Sequence, residues 1–169
     1  MQTTTLDMEI ALMKYCDVRQ NIVVPNVSYG ISRLVNENGI STWDVLHECD
    51  ILRVTKTGFG VEYEIKISKY DFLKDLKKKH SHNSRFIKQL FFAVPLEMLE
   101  FAKQHLPENA GLVYLKNDKI KIAVDAPIRK NCFKWSDKEM FKLARLGTMR
   151  IFTLKKLINK IKKDDTNLG

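Results

Sequence analysis

The sequence predicts an α/β domain in which a mixed β-sheet carries helices on both faces. Three observations predict it. Residues 61–67 alternate strictly, with Val61, Tyr63, Ile65 and Ile67 on one side and Glu62, Glu64 and Lys66 on the other, which is the period-2 mark of a strand. Leu90-Phe91-Phe92-Ala93-Val94 is an unbroken apolar run ending at Pro95, as in a central strand covered on both faces. Around these segments, stretches of helical spacing alternate with further strands, the order that builds a sheet with crossover helices.

Taken in order, Leu6, Ile10, Met13 and the neighbouring Leu12 fall at helical spacing, so residues 6–18 read as a helix. Residues 22–27 are β-branched and short; Pro25 suits an edge strand or a bend. Residues 29–39 fit a loop with a helical turn. Residues 43–55 alternate, and Thr57-Gly58-Phe59-Gly60 reads as the turn joining them to 61–67 as a hairpin. Ser68, with Asp71 three residues later, is a capping-box-like helix start. That helix runs through Phe72, Leu73 and Leu76 to Lys77-Lys78-Lys79, whose charge suits its C-terminal end. After the polar break 80–84 come the strand 90–94, a helix over 96–105, and strands at 110–115 and 120–124 joined by Asn117-Asp118. Residues 136–146 and 152–163 read as two basic amphipathic helices. The expected organisation is a domain over 1–128 with a basic helical extension, 129–169, packed on it.

A chain of 169 residues can bury a real core without staples. Three scattered cysteines, with no Cys-x-x-Cys pair, argue against a disulfide framework or a zinc ribbon and suit reduced thiols in a cytoplasmic protein. No run approaches the roughly 20 apolar residues of a membrane span. No basic stretch followed by an apolar one marks a secretory signal at the start. The formal charge is +9, and most of the surplus lies beyond Arg129. Such a surplus attracts phosphate backbones in a salt-sensitive way, so nucleic acid is the expected partner.

The residues that can carry chemistry lie on the first hairpin. Glu48 and Asp50 share one face of its first strand; Glu62, Glu64 and Lys66 share one face of its second. Pairing around the turn can set Asp50 near Glu64. Crowded carboxylates repel at neutral pH, so the row calls for solvent or a cation. Hard oxygen ligands suit Mg²⁺ or Mn²⁺. The alternative is an ordinary solvated strand face.

Asp50 followed after a hairpin by Glu64-Ile65-Lys66 resembles the D…(D/E)-x-K signature of the PD-(D/E)XK nuclease superfamily. The longer run from Val61 to Asp75 resembles the EIK-x-S-x-x-DF-x-x-D segment of MmcB-like DNA repair proteins, a branch of that superfamily. Phe91-Phe92-Ala93-Val94-Pro95 and Ala110-Gly111-Leu112-Val113 resemble that family's next two strands, so the similarity spans about Cys49 to Val124. The resemblance implies a restriction-endonuclease-like core and metal-dependent hydrolysis of DNA phosphodiesters, in DNA repair or mobile-element DNA processing. It equally admits a catalytically inactive DNA-binding or protein-interaction module, such as a phage or mobile-element accessory protein. On the first of these, Asp50 and Glu64 hold the metal with the Ile65 carbonyl, Lys66 is the catalytic lysine, and Glu9 on the first helix completes the site. Cys49 stands where the superfamily name has proline.

Other residues have simpler expectations. Ser68 is a helix cap, Asp71 completes it, and Asp75 pairs with a local lysine; the resemblance adds that all three can shape the edge of the site. Ser68, Lys69, Lys77, Lys78 and Lys79 are candidate nucleic-acid contacts. Glu48 and Glu62 are expected at the surface, Trp43 and Trp135 in packing, and His80 and His82 outside any metal site.

Overall fold

The alternation that begins at residue 61 does become a strand, and it lies third in a six-stranded mixed sheet. The computed structural model of the chain describes residues 3–30, 33–35, 41–43, 46–77 and 84–166. Helix α1 (Thr5–Tyr15) is followed by strands β1 (Ile22–Gly30), β2 (Arg33–Val35), β3 (Ser41–Trp43), β4 (Leu46–Val54) and β5 (Gly60–Ile65). Helix α2 (Lys69–Leu76), strand β6 (Ile87–Pro95), a 3-10 turn (Leu96–Met98) and helix α3 (Leu99–His105) follow. The hairpin β7 (Gly111–Lys116) and β8 (Lys119–Val124) then leads to helix α4 (Asp137–Thr166). The sheet order is β1-β4-β5-β6-β7-β8, while β2 and β3 form a separate pair.

The pairs β1–β4, β4–β5 and β7–β8 are antiparallel, whereas β5–β6 and β6–β7 are parallel. Parallel neighbours need crossovers, and α2 and α3 supply them. Pro25 sits on β1, an edge strand, where a missing N–H is tolerated. Where residues 29–39 were expected to hold a helical turn, Tyr29 and Gly30 extend β1, and residues 33–35 form a strand.

Both faces of the sheet are covered. Against α1 lie Ile51, Val61, Tyr63, Ile65, Phe91, Ala93 and Val113. The opposite face presents Leu90, Phe92, Val94 and Leu112 to α2 and α3 through Phe72, Met98 and Ala102. On the flank of that second face, Val24, Leu52, Val54 and Ile87 are closed over by Trp135 and by Leu143 of α4.

Three expectations need correction. The helix expected over 6–18 ends at Tyr15, and its inward stripe is Met8, Ala11, Leu12 and the following Cys16, with Leu6 and Ile10 exposed. The helix starts at a Thr4–Asp7 capping box, and the i, i+3, i+4 spacing of Met8, Ala11 and Leu12 decides which side faces the sheet. The strand through residue 61 stops at Ile65, so Ile67 lies outside it. The two basic helices are one 30-residue helix, started by a reciprocal Ser136–Glu139 cap. A helical glycine costs only about 1 kcal/mol, which Gly147 spends without ending the helix, and it lies beside Val24 of β1.

The β4–β5 turn shows why glycine is required nearby. Gly58 has φ +82°, in the left-handed region. At Gly60 a Cβ would stand 2.4 Å from the Phe86 carbonyl oxygen and 2.8 Å from Trp135 Nε1, which donates to that same oxygen at 3.0 Å. Gly60→Ala is therefore expected to lower stability by about 1–3 kcal/mol in a urea titration. An unchanged midpoint would show that the Phe86–Trp135 contact yields freely.

Candidate active site

Three positions brought together by the hairpin line one cleft. After Tyr63 pairs with Ile51, β4 and β5 cease to pair, and the Asp50 carboxylate takes the place of a backbone acceptor: its Oδ2 accepts from the Ile65 N–H at 2.8 Å. On its other side β5 stays joined to β6, with the Lys66 N–H donating to the Ala93 carbonyl at 2.9 Å. A cleft of about 240 Å³ opens here, lined by Asn26, Val27, Glu48, Cys49, Asp50, Glu64 and Lys66. At roughly 30 Å³ per water it has room for a hydrated ion.

The polar row of β5 is not a solvated face. Glu62 is fully buried, and Glu64 and Lys66 are only 4% and 5% exposed. The expectation of Glu62 at the surface fails because β5 is an inner strand covered on both sides. Glu48 is exposed as expected. The Lys66 ammonium lies 3.1 Å from Glu64 Oε2 and 3.6 Å from Asp75 Oδ1. Asp75 therefore reaches across from α2 to the strand lysine. Its place on the inward stripe of α2, three residues after buried Phe72, is the signal that could have found it.

Burial pushes the Asp50 carboxyl above its usual range; the Ile65 N–H and the Lys66 ammonium oppose this, and Asp75 and Asp71 reinforce it. Burial works to lower the Lys66 pKa, but Glu64, Asp75 and Asp50 together outweigh it, and the ammonium is held above its ordinary value. Burial and then the charges of Glu62, Glu64 and Asp50 drive the Cys49 thiol far upward, so it stays neutral and is no nucleophile.

Glu9 reaches the same region from α1. Its carboxyl is raised by burial and by the Asp50 charge, and lowered by Arg150. Its Oε1 accepts from Asn26 Nδ2 at 3.3 Å. Asn26 lies between Pro25 and Val27, whose partners Ile51 and Cys49 flank Asp50 on β4, in a left-handed conformation with φ 50° that asparagine tolerates. Arg150 of α4 donates to the Asn26 carbonyl. Neither Asn26 nor Arg150 stands out in the sequence, since each matters only through contacts between distant elements.

The remaining candidates lie apart from this cluster. Ser68 is the N-cap of α2, its Oγ accepting from the Asp71 N–H at 3.2 Å. Lys69 is exposed, with its ammonium 5.1 Å from the Phe101 ring centre. Lys77 is the C-cap at the other end of α2, roughly 13 Å from Ser68 at the helical rise per residue. Lys78, Lys79, His80 and His82 lie outside the described residues, as does the side chain of Trp43. Trp135 is buried in packing as expected.

Asp50 and Glu64 offer hard oxygen donors in one cleft. Among the described residues no group of three or more His, Cys, Asp or Glu side chains is arranged to hold a metal. Two carboxylates nevertheless fit Mg²⁺, which keeps several waters and is commonly bound through one or two carboxylates plus substrate phosphate. Among the described residues no helix is long and apolar enough to cross a membrane.

No protein family matches the sequence, and no curated protein does. A solved structure with a similar fold is the SPO1766 protein of unknown function from Silicibacter pomeroyi. It superposes with a TM-score of 0.57 at 15% identity, over 92% of this chain and 90% of that one. At that identity the likeness shows the fold alone.

Proposed function

We propose that the chain is a divalent-metal-dependent nuclease that hydrolyses DNA phosphodiester bonds, serving DNA repair or mobile-element DNA processing. The observation that carries this reading is the meeting of Asp50, Glu64 and Lys66 in one cleft where β4 and β5 part. Asp50 and Glu64, with the Ile65 carbonyl, would hold Mg²⁺ or Mn²⁺, which when bound polarises a phosphoryl oxygen and acidifies a water. Lys66, kept charged by its carboxylates, stands ready to stabilise negative charge growing on the phosphoryl group. Asp75 and Glu64 fix the direction of that ammonium, so Asp75 is a positioning residue. Glu9 adjoins the site through Asn26, a lining residue whose amide donates to it. The +9 charge supports a polyanionic substrate.

The test is cleavage of supercoiled plasmid with Mg²⁺ or Mn²⁺, against EDTA, paired with a salt titration of DNA binding. The expected result is metal-dependent nicking or linearisation that EDTA stops. A second reading, an inactive module that only binds DNA, draws support from the missing third acidic ligand among the described residues. Salt-sensitive binding with no cleavage at any metal concentration would select it and reject the nuclease.

A further inference from the structure

A second cleft, of about 600 Å³, opens where β6 begins. Gly60 pairs with Ile87 there, whereas Glu64 and Lys66 lie at the far end of β5, roughly 13–20 Å away at about 3.3 Å per strand residue. Its walls include Arg85 and Ile87 on one side and Arg129, Cys132 and Phe133 on the other. The second wall is laced to the first through the backbone. The Arg129 N–H donates to the Lys88 carbonyl at 3.0 Å, and the Phe133 N–H to the Arg85 carbonyl at 2.7 Å.

The cations here have rings and carbonyls as neighbours. Arg85 stands 5.8 Å from the Phe133 ring centre, and Lys88 and Lys134 stand 3.6 and 5.2 Å from that of Phe59. Among the described residues none of these three cations, nor Arg129, is in an ion pair with a carboxylate. Arg129 Nη1 donates to the Ser84 carbonyl at 3.2 Å, but Arg129 Nη2 is buried with no hydrogen-bond partner among the described residues. A buried guanidinium nitrogen without an acceptor is costly, and a phosphate oxygen is the acceptor its planar fork matches best. Phe133, half exposed beside it, offers a ring for a base to stack on.

We propose that this cleft binds the phosphate of a nucleotide, with Arg129 and Arg85 on the phosphate and Phe133 against the base. The nucleotide is either free or the phosphorylated end of a strand. The assignment stands whether or not the Asp50 cleft hydrolyses DNA.

The test is fluorescence anisotropy in EDTA with a 3′-labelled oligothymidylate, with and without a 5′-phosphate, in competition with dTMP and thymidine. The 5′-phosphorylated strand is expected to bind roughly tenfold or more tighter than its 5′-hydroxyl form, the scale of one charge-assisted contact. Competition by dTMP marks a free nucleotide as the source; a preference confined to the strand marks its end. Arg85→Gln, an exposed change, should erase the preference, as should Arg129→Gln if circular dichroism shows it folded. Asp50→Asn should leave it intact. Equal binding of both strands together with equal competition by dTMP and thymidine would overturn the assignment, as would an unchanged preference in Arg85→Gln.

Discussion

Replacing Asp50 by asparagine is expected to cut metal-dependent plasmid cleavage by at least about a hundredfold while leaving the protein folded. The separation of effects follows from what the carboxylate does. Its Oδ2 accepts from the Ile65 N–H, a role that an asparagine carbonyl oxygen fills without change of shape. The charge itself is disfavoured, since burial, Asp75 and Asp71 all raise the carboxyl. Removing it should leave stability unchanged or slightly improved, the usual trade between activity and stability at a strained site. Initial cleavage rates and a denaturant titration on the same preparation check both halves. A variant within tenfold of the wild-type rate would remove Asp50 from the chemistry.

Lys66→Ala has the opposite profile, with its largest effect on the fold. Its ammonium lies against two carboxylates that are themselves 4% exposed, Glu64 and Asp75. Deleting one member of a buried charged cluster costs about 3–5 kcal/mol because the opposite charges stay behind. For a chain of this size that is roughly 6–20 °C in melting temperature. Glu64→Gln introduced into Lys66→Ala should recover part of the loss by removing one of those charges. A melting temperature within 2 °C or so of wild type, read by circular dichroism, would show that the ammonium is not what balances this cluster. Lost cleavage in Lys66→Ala alone therefore says little about catalysis.

Much of this arrangement was legible in the sequence because it is local. The hairpin, the Glu64-Ile65-Lys66 triplet at the end of its second strand and the Ser68 cap are written in consecutive residues, and β6 in one apolar run. The sheet class follows from their order. What was illegible depends on neighbours far along the chain. The row Glu62, Glu64, Lys66 has the same alternation on an open sheet as on a covered one, so its burial could not be read. Asp75 looks like a helix surface acid until Lys66 is placed beside it. Asn26 and Arg150 come together only when α4 crosses β1, and nothing near either residue announces that crossing. The spacing of Leu6 and Ile10 announced the first helix but not its inward side, because apolar side chains at helical spacing need not be the ones that face the sheet.

The closure of the flank by Trp135 and Leu143 has a consequence for how the protein is made. Val24, Leu52, Val54 and Ile87 leave the ribosome well before the two side chains that cover them. Until the first turns of the last helix emerge, that side of the nascent sheet is a bare apolar strip beside the open edge of its outer strand, the kind of surface that chaperones hold and that sticks to its own kind.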